Sequence, residues 1–243
     1  MSGTGGWMDP KLSFRCISVV SPVGLEDPRN IEQFHQRIAA TLTPLAQAWE
    51  LVFVSDGRSA TTSEAMGRAA ADRHVRVVSL PRHLGQEAAL ATGLLSVRGD
   101  AVCLLDCDLE NPPEALPALL HPLAEGADLA LGRREQRPGL PMARRWGSRA
   151  YNALMRRRWG VGLRDWGCGM NAASGRLIAA VRPQLQGAID RPLKAAFVRA
   201  ARSWVEVPVP AEPRLYGRSG YSHRQLVRLA WIGLTRGTTL GAA

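Results

Sequence analysis

Apolar positions along the chain switch between short continuous runs and helically spaced sets, and this switching predicts the order of the secondary-structure elements. Residues 16–23 form a β-branched run that ends beside a proline, and residues 50–57 and 75–80 form similar short runs. Between these runs, apolar side chains recur at helical spacing over about 30–48 and 61–73. We therefore predict three buried strands separated by two crossover helices.

The same alternation continues along the rest of the chain. We predict a third helix, a fourth strand, a fifth strand, two later helices and an edge strand, in that order, over residues 85–97, 100–108, 127–132, 141–158, 174–182 and 204–213. Alternating strands and helices are typical of an α/β fold with a Rossmann-like, mainly parallel sheet sandwiched by right-handed crossover helices. Because no repeat or linker interrupts the pattern, we predict a flexible N-terminus over 1–13 and one domain over 14–243.

The charge of the chain narrows the classes of partner. The 243 residues have a formal net charge of +10, and the stretch 133–164 is rich in arginine with aromatic residues interleaved. A further basic amphipathic stretch over 222–236 predicts basic helices towards the C-terminus. These arginines either form solvated faces or bind an anionic membrane surface or phosphorylated molecules. Nucleic acid is not predicted as a partner, because no aromatic ribonucleoprotein strand, zinc module or helix-turn-helix pattern is present.

Two further features point to a cytoplasmic protein that at most lies against a membrane. The first 14 residues contain no apolar signal-peptide core, and no apolar run approaches the ~20 residues of a membrane span. The cysteines form no CxxC pair, which favours buried free thiols in a reducing compartment; they are Cys16, Cys103, Cys107 and Cys168.

The segment LLDCDLENPPE carries the sharpest candidate chemistry. It brings Asp106 and Asp108 to the end of the fourth strand, where residues two apart share a face, and Glu110 adds a third carboxylate if the extension continues. Carboxylates with open coordination positions suit Mg²⁺ or Mn²⁺ bound to a diphosphate. The alternative is that these acids cap a helix or lie in a solvated loop. Glu26 and Asp56 end the first and second strands, so they share the carboxyl edge of the sheet where ligands bind.

Six segments taken in order resemble the inverting family 2 glycosyltransferases of the GT-A fold, and among them the polyprenol-phosphate sugar transferases such as dolichol-phosphate mannosyltransferase. The segments are ISVVSPVGLED, LVFVSDG, LPRHLGQEAALATGLLSVRGD, LLDCDLENPPEALP, LALGRR and RLYGRSGYS. The resemblance implies an Mg²⁺- or Mn²⁺-dependent transfer of a sugar from a UDP- or GDP-linked donor to a polyprenyl phosphate. It covers nearly the whole chain.

The resemblance also implies roles for individual residues. The nucleotide would contact Pro22, Glu26, Val54, Asp56 and Asp106. The metal would be held by Asp106, Asp108 and Glu110, and the phosphates of donor and acceptor by Arg134, Arg214, Arg218 and Ser219. The catalytic residues would be Arg134, Arg214 and Asp165, with Asp165 as the base if the acceptor is a hydroxyl.

The chain departs from the family pattern at several positions, and these departures keep two alternatives open. Gly24 and Leu25 replace an aromatic residue and an amide, Asn171 replaces a basic residue, and Gly220 replaces a lysine. One alternative is a transferase of the same fold that acts on a soluble hydroxyl acceptor. The other is a non-catalytic subunit that binds nucleotide sugars, although the retained charged residues argue against it.

Overall fold

The computed structural model describes residues 12, 14–55, 59–135, 142–186 and 192–216. The predicted flexible N-terminus lies outside this part of the chain apart from residue 12, and so does the basic stretch over 222–236. The extent of a single domain over 14–243 therefore stays a prediction. No helix in the described ranges has both the length and the apolar character needed to cross a membrane.

The described residues form one mixed sheet in the order β3-β2-β1-β4-β6-β5-β7. Its strands are β1 (Cys16–Val23), β2 (Ala48–Ser55), β3 (Val75–Ser79), β4 (Ala101–Leu104), β5 (Leu129–Arg134), β6 (Asn171–Ser174) and β7 (Trp204–Val209). Strand β6 runs antiparallel to both of its neighbours, and the other pairings are parallel. Strand β7 lies at the edge, as its prolines predict.

The helices are α1 (Pro28–Leu42), α2 (Ala60–Ala69), α3 (Gln86–Ser96), α4 (Leu116–Ala124), α5 (Met142–Trp159), α6 (Gly175–Leu185) and α7 (Leu193–Ala200), with a 3-10 turn at Pro113–Ala115. Local chemistry explains several of their starts. Asp27, Ser59 and Ser174 each accept a hydrogen bond from a main-chain N–H of the first turn of α1, α2 and α6.

Apolar side chains of the strands alternate between the two faces of the sheet, and each face is covered by helices. One core contains Phe34 of α1 and Phe53 of β2, together with residues of α2 and α4. The other contains Val54 of β2, Leu94 of α3 and Phe197 of α7, together with residues of α5 and α6. The predicted α/β class, with a mainly parallel sheet between helical layers, is therefore confirmed.

Some predicted boundaries were wrong. Helix α1 ends at Leu42 rather than near residue 48, because a turn follows in which Leu45 and Ala46 donate to the carbonyl of Leu42, and β2 already begins at Ala48. Strand β4 ends at Leu104 rather than at residue 108. Helices α4 and α7 and strand β6 were not predicted.

The reversed direction of β6 matters for the functional end of the molecule. Asn171 starts β6 opposite Leu104, the last residue of β4, and Ser174 ends it opposite Ala101. A strand that runs antiparallel to its neighbours begins at the edge of the sheet where those neighbours end. Residues 165–170 are therefore delivered to the carboxyl edge of the sheet, beside the acids that follow β4.

Candidate active site

The acids of LLDCDLENPPE lie in a turn that follows β4 rather than in an extended strand. Asp108 is 6% exposed, and its Oδ1 accepts a hydrogen bond of 3.0 Å from the main-chain N–H of Glu110. Between them, the buried Leu109 has a φ of 61°, in the left-handed region that a bulky side chain rarely adopts. The expectation that an extended strand aligns Asp106, Asp108 and Glu110 on one face was therefore wrong, because β4 has already ended.

Arg214 joins three of the acids at this edge. Its Nη2 lies 2.8 Å from Oδ2 of Asp108, and its Nε donates a 2.9 Å hydrogen bond to Oε1 of Glu110. Its Nη1 lies 3.9 Å from Oε2 of Glu26. The guanidinium therefore acts as an internal counter-ion for acids that come from two different loops.

Arg214 is held in place by the segment 210–216, which crosses the carboxyl edge after β7. The main-chain N–H of Glu212 donates to the carbonyl of Glu110 over 2.8 Å, and the Asn111 amide donates to the carbonyl of Pro210 over 3.2 Å. At the far end, the Asn30 amide of α1 donates to the carbonyl of Tyr216 over 3.1 Å. Main-chain anchors on both sides thus fix where the arginine side chain starts.

Asp106 sits in a different environment from Asp108. Its Oδ1 accepts a 2.8 Å hydrogen bond from the side-chain amide of Gln86, the first residue of α3. On the other side lies Gly169, where a Cβ atom would stand only 2.3 Å from Oδ2 of Asp106. Burial, and then the charges of Asp108 and Glu26, raise the pKa of the Asp106 carboxyl well above its usual value. A cation bound beside it would stabilise the ionised form.

The donor chemistry at this edge fits a hard divalent cation, although the arginine competes for the same oxygens. Magnesium and manganese take carboxylate oxygens, and Asp106 and Asp108 supply them. Within the described ranges, no three His, Cys, Asp or Glu side chains stand ready as a metal site. Because Asp108 and Glu110 are paired with Arg214, a cation would have to displace the guanidinium from them.

A second charged pair lies at the end of β5. Arg134 donates from Nε to Oδ2 of Asp165 over 2.9 Å and from Nη2 to Oδ1 over 3.0 Å, and its main-chain N–H donates to the same carboxylate over 3.2 Å. Burial acts to raise the pKa of Asp165, but these bonds from Arg134 outweigh it, and the pKa is lowered. Asp165 therefore orients Arg134 and stays ionised.

The structure brings most of the predicted site residues to one edge. Pro22 and Val54 lie opposite each other in the register of β1 and β2, near the carboxyl ends of these strands. Glu26, the acids after β4 and Arg214 form the contacts given above, and Glu110 is close enough for its charge to act on Arg134. Asp56, Arg218 and Ser219 lie outside the described residues.

Two neighbours of Asp106 were missed from the sequence. Gln86 stands in the quoted segment LPRHLGQEAALATG, directly after Gly85, which has a φ of 89°. A polar side chain at the start of a helix that follows a parallel strand lies at the carboxyl edge of the sheet, so its position was a usable signal. Gly169 gave no such signal, because its importance comes from a contact with a residue 63 positions earlier in the chain.

Comparison with known proteins places this site in a family. The profile of the glycosyl transferase family 2 matches residues 18–180. An undecaprenyl-phosphate 4-deoxy-4-formamido-L-arabinose transferase of Salmonella paratyphi A is 32% identical over 225 residues, which cover 92% of this chain and 68% of that protein. The transferase of the same name from Pseudomonas fluorescens is 33% identical over 226 residues, covering 92% and 65% of the two chains.

Solved structures agree on the fold. Glucosyl-3-phosphoglycerate synthase of Mycobacterium tuberculosis, in complex with Mn²⁺, UDP-glucose and phosphoglyceric acid, superimposes with a TM-score of 0.65 at 23% identity. The match covers 91% of this chain and 78% of that chain. The predicted GT-A-type fold is confirmed by this likeness together with the sheet order. The chain belongs to glycosyl transferase family 2 and is a glycosyltransferase.

Proposed function

We propose that this glycosyltransferase moves a sugar from a nucleoside diphosphate sugar to a polyprenyl phosphate, with inversion at the anomeric carbon and a divalent cation as cofactor. The observation that carries the proposal is the cluster of Glu26, Asp106, Asp108 and Glu110 around Arg214 at the carboxyl edge. The curated relatives are named as undecaprenyl-phosphate transferases, which supports the acceptor class.

The pairing of Asp165 favours a phosphate over a hydroxyl acceptor. A hydroxyl needs a general base to remove its proton, whereas a phosphate is already ionised near neutral pH. Both carboxylate oxygens of Asp165 accept bonds from Arg134, and its lowered pKa makes it a weak base. Because the described acid that pairs with Arg134 is not poised as a base, this end of the site suits an acceptor that needs none.

The residues of the chain divide the work in this reaction. Arg134, oriented by Asp165, would hold an anionic phosphate beside the donor. Arg214 would leave the carboxylates and bind the diphosphate as Asp106 and Asp108 take the cation, Mg²⁺ or Mn²⁺. When bound, that cation would supply positive charge that neutralises the diphosphate leaving group. The acceptor oxygen would attack the anomeric carbon from the face opposite that leaving group.

The direct test is transfer of a labelled sugar into the lipid phase. Purified protein would be incubated with UDP- or GDP-linked sugars, undecaprenyl phosphate in detergent micelles, and Mn²⁺, with EDTA added to a parallel set. We expect label in the organic phase from one donor, and its loss with EDTA. Label recovered on soluble hydroxyl acceptors alone, or metal-dependent nucleotide binding without turnover, would overturn the proposal in favour of one of the two alternatives.

Helix α5 supports the further proposal that the protein lies on an anionic membrane surface. The helix contains no acidic residue, Trp146 is 61% exposed, and the guanidinium of Arg149 stands 5.5 Å from its ring centre. Exposed aromatic and basic side chains on one helix are typical of binding at a lipid interface.

We expect co-sedimentation with anionic vesicles that weakens with salt and with Trp146→Ala. Arg73→Ala is the control, because Arg73 is exposed and precedes β3, the first strand in the order of the sheet. Equal binding to neutral vesicles would contradict this.

A further inference from the structure

Lys194, the second residue of α7, makes an unusual set of contacts with the turn that precedes β6. Its Nζ lies 3.2 Å from the carbonyl oxygen of Asp165, 3.3 Å from that of Trp166 and 2.8 Å from that of Cys168. A lysine ammonium has three protons to donate. All of them are therefore matched by main-chain acceptors of one short turn, over residues 165–168.

The helix that carries this lysine is itself fixed to the active-site edge. Oε2 of Glu87 accepts a 2.8 Å hydrogen bond from the main-chain N–H of Leu193, the first residue of α7. Leu193 and Phe197 are buried in the core on the α3 side of the sheet. The preceding residue of α3, Gln86, donates to Asp106. The first turn of α3 thus contacts both the helix that carries the lysine and the acid cluster.

The turn held by Lys194 and the glycine that follows it touch both charged centres of the site. Asp165 at its start binds Arg134 through both carboxylate oxygens. Gly169, just after it, packs against the carboxylate of Asp106. A further bond runs from the main-chain N–H of Trp166 to the side chain of Asn152 of α5, over 2.8 Å. A shift of this turn would therefore move Arg134 and Asp106 together.

We propose that Lys194 is a positioning residue for sugar transfer, which holds the turn 165–168 so that Asp165 keeps Arg134 aimed at the phosphates. The inference rests on the proposed function for what Arg134 binds. An apolar side chain of similar length would leave three carbonyl oxygens without their donor, and the turn would move to find others. The hydrogen bonds of Lys194 to the described residues all end on main-chain oxygens, so its effect on the reaction passes through Asp165.

The test compares Lys194→Met and Lys194→Arg with a matched control, Arg182→Met. Arg182 of α6 also donates to a main-chain carbonyl, that of Leu95, over 2.9 Å, and this bond involves none of the described site residues. We expect Lys194→Met to lower kcat about 10- to 100-fold, as loss of an orienting partner commonly does, with a much smaller change in donor KM. Lys194→Arg should recover part of this loss. Arg182→Met should lower the melting temperature but leave kcat within about twofold of wild type.

A second readout does not depend on the acceptor. Hydrogen exchange of the peptide covering residues 165–170 should become faster in Lys194→Met and stay unchanged in Arg182→Met. The double variant, with both Asp165→Asn and Lys194→Met, should have a kcat close to that of Asp165→Asn alone. Both substitutions act through the pair of Asp165 and Arg134. Unchanged exchange of this peptide, or a kcat within twofold of wild type in Lys194→Met, would overturn the inference. An inactive wild type with faster exchange in Lys194→Met would instead contradict the proposed function.

Discussion

The two edges of the sheet both bury carboxylates, but they surround them differently. At the amino edge, Glu50 of β2 is 8% exposed and accepts from the Ser18 hydroxyl over 2.6 Å, the main-chain N–H of Arg98 over 2.7 Å and the Arg76 guanidinium over 2.9 Å. Burial raises its pKa, but these donors outweigh burial and lower it. Ser18 lies in β1 and Arg76 in β3, and Arg98 lies in the short connection between α3 and β4.

At the carboxyl edge, within the described part of the chain, several acids share one arginine, and the pKa of a buried acid is raised rather than lowered. Glu26, Asp108 and Glu110 share Arg214, and Asp106 has a raised pKa beside them. Acids that outnumber their fixed donors reduce stability unless a ligand neutralises them. The contrast teaches that a buried acid alone does not mark a functional site, whereas several acids that share one arginine at a sheet's carboxyl edge do.

The largest expected effect separates the two edges by activity. Asp108→Asn should lower kcat by about 10²–10³-fold, the scale for loss of a group that handles charge in a transition state. Because Asp108 shares one arginine with other acids, the variant should unfold near the wild-type temperature. Transfer assays and thermal melts measure both. Glu50→Gln is the matched control, with transfer per folded molecule unchanged; equal loss of activity in both would erase the distinction between the edges.

A smaller effect tests the packing of Asp106. In Gly169→Ala, the new Cβ would meet Oδ2 of Asp106 at 2.3 Å, so the carboxylate must move. We expect a loss in kcat of about 10²-fold, which is the cost of misplacing a reacting group by about 1 Å. Gly162→Ala is the control, since nothing lies within 4 Å of a Cβ there. A wild-type rate for Gly169→Ala would show that the position of Asp106 does not matter.

A substitution at the amino edge should lower the stability of the fold rather than its activity. Glu50→Gln places an amide N–H₂ where the carboxylate now accepts bonds, and we expect a loss of about 1–3 kcal/mol in unfolding free energy at pH 7. The lowered pKa means that the carboxylate stabilises the fold above its unfolded pKa of about 4.3 and loses this contribution as pH falls through the folded value. Urea titrations should therefore show a gap between wild type and variant that is full at pH 7 and shrinks once the pH falls below about 4.3. A constant gap would mean that ionisation of Glu50 contributes nothing.

The smallest expected effect has opposite signs for two ligands. Arg214→Met removes the cation that competes for Asp108 and Glu110, so free Mn²⁺ should bind more tightly, by about tenfold or ~1.4 kcal/mol. The same variant should bind UDP or GDP with Mn²⁺ more weakly, because a phosphate-binding guanidinium is lost. Electron paramagnetic resonance of Mn²⁺ and calorimetry measure the two affinities. Arg37→Met, which breaks an ion pair with Glu114 away from the site, is the control; weaker Mn²⁺ binding in Arg214→Met would refute the competition.

The parallel half of the fold was predictable because its strands carry continuous apolar runs that mark both their position and their ends. The acids after β4 could be placed at the carboxyl edge for the same reason, since every parallel strand delivers its last residue there. Strand β6 gave no such signal. Its four residues, from Asn171 to Ser174, include two alanines and no large apolar side chain, and its direction depends on pairing with β4 and β5.

The contacts of the site were less predictable than its location. The resemblance assigned Arg214 to phosphate, but the pairing of its guanidinium with Asp108 depends on how the segment 210–216 is anchored, which no local pattern reports. Lys194 was missed because its partners are main-chain carbonyls, which every residue possesses. Periodicity finds elements, and only packing reveals which side chains meet between them.

The anchors of the segment 210–216 have a consequence for how the protein is made. Arg214 reaches back 104 positions to Glu110, and Tyr216 reaches back 186 positions to Asn30. Translation proceeds from the N-terminus, so helix α1 and the acids after β4 leave the ribosome long before the arginine that neutralises them. Until that arginine arrives, its contacts with Glu26, Asp108 and Glu110 cannot form. Closure of the charge cluster therefore has to wait until the segment 210–216 has been synthesised.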